Sequence, residues 1–114
     1  MLYTPADLAL TLARADEDSW VRVAADWLTR GELSEEAPPS AGNRIRDALV
    51  AATVAHLARQ RGCPAPAWTN APWYTLDSFW HPGSDRFFAL ALATAPAEFA
   101  ARGVFVGADS LVSL

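Results

Sequence analysis

The residues best suited to chemistry in this chain are His56, Cys63 and His81, which stand 7 and 18 positions apart. A zinc site wants ligands paired at short spacing, and no CxxC or HxxxH pairing accompanies these three, so no metal is expected. His56 falls in an apolar helical stretch. A general base needs a carboxylate to orient it, and the residues one turn away are Ala52, Thr53, Arg59 and Gln60. A packed structural histidine is the simpler reading. His81 lies in a Trp-His-Pro-Gly turn between Asp77 and Asp85. Functional side chains favour such loops, which makes it the better candidate of the two, although a turn histidine with a local hydrogen bond is the simpler reading. Cys63 follows Gly62 and precedes Pro64, a poor setting for a nucleophile. The acids Asp16, Glu17, Asp18 and Glu35, Glu36 form adjacent runs of the kind found at helix starts and in solvated loops. There is no Gly-rich phosphate loop and no GxSxG elbow. No catalytic residue and no cofactor is therefore expected.

The aromatic residues are more informative. Between Pro64 and Pro82 the chain holds three of its five tryptophans (Trp68, Trp73, Trp80) and four of its eight prolines. Proline fixes φ and removes a backbone donor, so this stretch is neither one helix nor a central strand. Its aromatic surface must cover a core or meet a partner. Trp68, Trp73, Trp80 and His81 are accordingly the candidate partner-binding residues. Trp20 and Trp27 are seven apart, on one face of a helix, and read as core.

The elements around this segment read as helices. Thr4-Pro5-Ala6-Asp7 is a helix start: threonine caps, proline suits the first position, and Asp7 is in the first turn. Leu8 and Leu12 make a stripe that Ala9 and Leu10 widen, ending near Ala15. Asp16-Glu17-Asp18 opens a second helix carrying Trp20, Val23, Ala24, Trp27 and Leu28. Glu32 to Gly42, with Pro38-Pro39, is a loop. Arg44 to Arg61 is the clearest helix, with Ile45, Leu49, Ala52 and His56 on one line and Ala48, Val54, Leu57 and Ala58 beside it. Gly62 is its expected left-handed cap. After the tryptophan segment, Ser84 caps a helix through Phe87, Phe88, Leu90 and Leu92. Thr94-Ala95-Pro96 ends it and opens a short helix to Arg102, with Gly103 as cap and Val104 meeting Phe99. Val104-Phe105-Val106 is extended, and Asp109 or Ser110 starts a last turn through Leu114.

At 114 residues this is one domain, 1–114, able to bury a core without staples. Hydrophobic content of 52% with 19% charge is globular. No apolar run reaches membrane-spanning length and the start lacks a basic region, so neither a span nor a signal peptide is expected. One cysteine fits a reducing compartment, and a cytoplasmic location is expected. Net charge is −4 and uneven. Residues 1–39 carry eight acids against three arginines; residues 40–63 carry four arginines against Asp47. The acidic third repels phosphate, and basic residues do not interleave with the tryptophans, so nucleic acid is not expected as a partner by itself. All nine basic residues are arginine, which fits the codon bias of a GC-rich genome.

Two stretches bear a resemblance to a known group. One runs from Asp18-Ser19-Trp20 through Asp47-Ala48-Leu49 and Ala55-His56-Leu57-Ala58 to Pro66-Ala67-Trp68. The other is the ending from Thr94-Ala95-Pro96 through Glu98-Phe99 and Arg102-Gly103-Val104-Phe105-Val106. Over residues 18 to 114 the chain resembles small actinobacterial proteins similar to the C-terminal regions of Xre-type regulators and to toxin–antitoxin partners. The shared features are caps, turns and core aromatics, and no DNA-reading helix-turn-helix is identifiable. The resemblance implies a regulatory or antitoxin-like role and assigns no catalytic residue.

The expectation is an all-α, or nearly all-α, single compact domain of about five helices with the Trp/Pro-rich segment packed across them. The expected function is a non-enzymatic protein-interaction module with a protein partner; self-association is left open. The alternative is a small-molecule-binding or enzymatic domain with its pocket around Trp73, Trp80, His81 and Asp77.

Overall fold

The computed structural model describes residues 3–82 and 88–111. Five α-helices carry the fold: α1 (Pro5–Arg14), α2 (Trp20–Arg30), α3 (Arg44–Gln60), α4 (Phe88–Thr94) and α5 (Ala97–Ala100). Among the described residues there is no strand, and the chain is an all-α domain. No helix among them is long and apolar enough to cross a membrane.

α1 starts as its sequence dictates. The Asp7 amide donates to Thr4 Oγ1 (3.2 Å) and the Thr4 amide donates to Asp7 Oδ2 (3.0 Å), so two amides at the helix start are satisfied reciprocally. Leu8, Ala9 and Leu12 face the core. Leu10 does not widen that stripe: it is 51% exposed, because two residues along a helix turn the side chain through about 200°. α2 follows a single 3₁₀ turn at Glu17–Ser19 and buries Trp20, Ala24, Ala25, Trp27 and Leu28. Its indoles are tied down at their polar ends, Trp20 Nε1 donating to the Ala15 carbonyl and Trp27 Nε1 to the Thr4 carbonyl, each at 3.1 Å.

α3 is the centre of the molecule. Asn43 caps it by accepting from the Arg46 amide (2.8 Å). Eleven of its seventeen residues are buried, and α1, α2, α5 and the 3₁₀ turns of the tryptophan segment all pack on it. The apolar line expected from spacing is in fact an apolar surround: Val50, Val54 and Leu57 share one face, Leu49 lies about 100° around from Val50, and five buried alanines fill in between. Gly62, at φ +68°, ends the helix in a Schellman turn, with Cys63 N–H donating to Ala58 O (2.9 Å) and Gly62 N–H to Arg59 O (3.1 Å).

Beyond α3 the chain makes two 3₁₀ turns, Ala67–Asn70 and Pro72–Tyr74, across that helix. It then runs beside the extended residues after α5. The Leu76 amide donates to Arg102 O (3.0 Å), the Trp80 amide to Gly103 O (2.8 Å) and the Phe105 amide to Trp80 O (2.8 Å), which makes one isolated parallel bridge, Trp80 with Val104. Gly103 (φ +79°) sets up this contact as the cap of α5, where Val104 N–H donates to Phe99 O (3.0 Å) and both side chains are fully buried. α4 begins at Phe88 among the described residues; the expected Ser84 cap and Phe87 lie outside them. The last 3₁₀ turn is Ala108–Leu111, packed on α2, and the expected continuation to Leu114 lies outside the described residues.

Candidate functional site

The first turn of α3 carries a buried carboxylate, Asp47. It accepts from the Ala41 amide (2.6 Å), from Ser40 Oγ (2.8 Å) and from Trp73 Nε1 (2.8 Å). A carboxylate taken out of water is tolerable only when its lone pairs are occupied, and here three donors converge from two different loops. Its charge is felt nearby: burial first, and then the field of Asp47, push the Tyr74 phenol above its ordinary value.

Arg44, one turn earlier, holds the same loop from the other side. Its guanidinium donates to the carbonyls of Trp73 (3.2 Å) and Thr75 (2.8 Å) and reaches Asp77 Oδ2 at 3.1 Å. Its Cζ also stands 5.0 Å from the centroid of the Trp73 ring. The Asp77 pair is largely solvated and contributes little; the carbonyl contacts and the stacking fix the loop. Trp73 is thus gripped at its indole N–H, at its ring and at its own carbonyl, yet remains 50% exposed.

The four sequence candidates differ in exposure. Trp68 is partly buried, donating from Nε1 to Ser34 O (2.9 Å) and meeting Tyr74 edge-on at 5.5 Å. Trp80 packs on the core against Trp20, ring centroids 5.7 Å apart. His81, the last residue but one before the undescribed gap, is half-buried. Trp73 alone presents a large exposed face. Phe79, not among the candidates, is more exposed still at 61% and leans edge-on against Phe105 at 5.7 Å.

A second polar cluster joins α3 to α5. His56 Nδ1 stands 3.6 Å from Glu98 Oε2, an ion-pair distance longer than a hydrogen bond, and Arg59 Nη1 lies 3.4 Å from both Glu98 oxygens. The other ring nitrogen of His56 is 3.3 Å from the Gln60 amide nitrogen, and Phe99 meets the imidazole edge-on. A carboxylate that neighbouring sequence does not offer His56 therefore stands near it, on a distant element, without hydrogen-bonding the ring. Arg102 completes the cluster beneath Glu98, donating to Thr69 O from Nε (3.1 Å) and Nη2 (2.8 Å) and to Glu98 O from Nη1 (2.7 Å). Burial pulls this guanidinium below its ordinary value, against the opposing effect of Glu98. Among the described residues only Nε2 of the imidazole has a hydrogen-bond partner, the buried Nδ1 having Glu98 near it beyond hydrogen-bond reach, and Arg102 with the Glu98 contacts latches α5 and the Thr69 turn to α3. No sequence signal marked it, because its members are spread over three elements.

One cavity adjoins the second cluster and another lies apart from both clusters. A cleft of about 470 Å³ is lined by Arg59, Cys63, Asn70, Glu98 and Arg102 among others. A groove of about 310 Å³ lies between α1 and α2. Neither is lined by Trp68, Trp73, Trp80 or His81. Cys63 is exposed, its thiol 3.6 Å from the Arg61 carbonyl. Compared with protein families, curated proteins and solved structures, the chain matches none.

Proposed function

We propose that this chain is a non-enzymatic protein-interaction module, of the antitoxin-like or regulatory-partner kind, that docks through Trp73. The supporting observation is the state of that side chain: half its surface is open while Asp47 and Arg44 hold its ring. An exposed aromatic already immobilised loses little entropy on binding, which is the character of an interface anchor. The proposal includes kinship with the small actinobacterial regulators and toxin–antitoxin partners that the sequence resembles, and a cytoplasmic setting in keeping with the single cysteine. A protein partner, rather than nucleic acid or membrane, is its target.

The test is affinity purification of the tagged chain from its native cells, with quantitative mass spectrometry, for wild type and Trp73→Ala. The expected result is one stoichiometric partner that Trp73→Ala depletes about tenfold or more, the effect of a central aromatic anchor. Far-UV dichroism of the variant should remain that of the wild type. A partner retained in full by Trp73→Ala, or no stoichiometric partner at all, sinks the reading.

A further inference from the structure

The groove between α1 and α2 is a separate place from the Trp73 face, and its chemistry is different. Leu8 and Trp27 form its buried floor, Val23 is half-buried, and Leu10 stands exposed at its edge. Asp7 and Asp26 line it as well, so an apolar trough carries carboxylates along both helices. Beyond the groove, Asp16, Glu17 and Asp18 are all exposed at the turn that joins the helices. Residues 1–39 hold eight acids against Arg14, Arg22 and Arg30, and the last of these stands beside the groove on its lining residue Tyr3, donating to the hydroxyl at 3.0 Å. α3 covers the opposite side of the pair, and a third helix laid in the groove would complete a bundle layer.

We propose that this groove receives a basic amphipathic helix of a partner protein, apolar residues seated against Leu8, Leu10, Val23 and Trp27 and arginines or lysines facing the acidic flanks. Charge complementarity decides the occupant. A second copy of this chain would bring the same acidic pair, −5 over residues 1–39 (eight acids less three arginines), against itself. Nor, among the described residues, do α3 and α4 supply such a helix. α3 has its apolar residues buried, and α4, FALALAT, has no basic residue. Helix-in-groove docking anchors on residues at i, i+3 and i+7, which matches a trough running along two helices.

The probe is a synthetic amidated helical peptide with leucines at those spacings and arginines elsewhere, set beside a counterpart with glutamate for arginine. Binding to the full chain is read by tryptophan fluorescence and by amide shifts in nitrogen-15 spectra. The arginine peptide should bind at least about tenfold more tightly than the glutamate peptide and shift amides of α1 and α2. Leu10→Gln, an exposed change that leaves the core alone, should weaken it roughly fivefold or more, and Asp26→Asn about two- to threefold with a flatter salt dependence. Trp73→Ala should leave this binding intact, so failure of the groove and failure of the Trp73 face are separately visible. The inference is overturned if the two peptides bind alike, if the arginine peptide does not bind, or if Leu10→Gln has no effect. It is equally overturned if the shifts centre on Trp73 and Phe79, or if sedimentation shows the free chain to be a dimer that Leu10→Gln dissociates.

Discussion

α3 and the segment from Ala67 to Trp80 lie against each other and satisfy their backbones by opposite means. α3 pairs its amides and carbonyls internally, so its side chains need only be small and apolar to be surrounded. The segment has few internal pairs. Its carbonyls are taken up by side chains of other elements, Arg44 on Trp73 and Thr75 and Arg102 on Thr69, and its later part leans on Arg102 and Gly103. A helix of this kind is stable wherever it is packed; a segment of this kind has its shape only where those arginines and that carboxylate reach it. The exposed aromatic is therefore placed by charged residues of α3, not by its own local sequence.

The comparison breaks hardest at the helix. Leu49→Ala, at a fully buried position of α3, should cost about 3 kcal/mol, read as a lower urea midpoint at unchanged slope, because the surrounding elements cannot collapse into the space. Asp47 is where the two regions meet. Asp47→Ala leaves a buried Ala41 amide without its acceptor and should cost about 2 kcal/mol, while Asp47→Asn keeps one oxygen and should cost less. Unlike Leu49→Ala, Asp47→Ala should also release Trp73, seen as a red-shifted emission of the folded protein. An unchanged spectrum would mean that Arg44 alone holds the ring.

The smallest effect is confined to high pH. The phenol of Tyr74 has its folded value raised above the ordinary 10.0, so the protonated form is favoured in the fold. That contribution is fully present below pH 10 and is lost as pH rises through the raised value. Tyr74→Phe should flatten the alkaline fall in melting temperature and leave neutral stability nearly unchanged. An identical alkaline profile would show that neither burial nor the charge of Asp47 holds the phenol up.

The ends of the helices were legible in residue order. The Thr4–Asp7 capping box and the glycine turns at Gly62 and Gly103 need only the few residues that form them. The exposure of Leu10 was legible too, from the 100° step of a helix, although a stripe drawn through neighbouring leucines hid it. The polar clusters were not. Nothing around Asp47 says that it will be buried, since its donors come from Ser40, Ala41 and Trp73 in two loops. Nothing around His56 announces Glu98.

Sequence by itself determined that this chain is helical, where α1 and α3 begin and end, and that residues 64 to 82 are irregular, because caps, periodicity and proline act over a turn or two of chain. Which tryptophan faces water was decided only by the tertiary structure. Trp68, Trp73 and Trp80 have similar local surroundings, and their exposure depends on which distant groups accept their indole hydrogens and cover their rings: Ser34 for one, Asp47 and Arg44 for another, Trp20 for the third. Such contacts join residues far apart in the chain, and spacing carries no record of them.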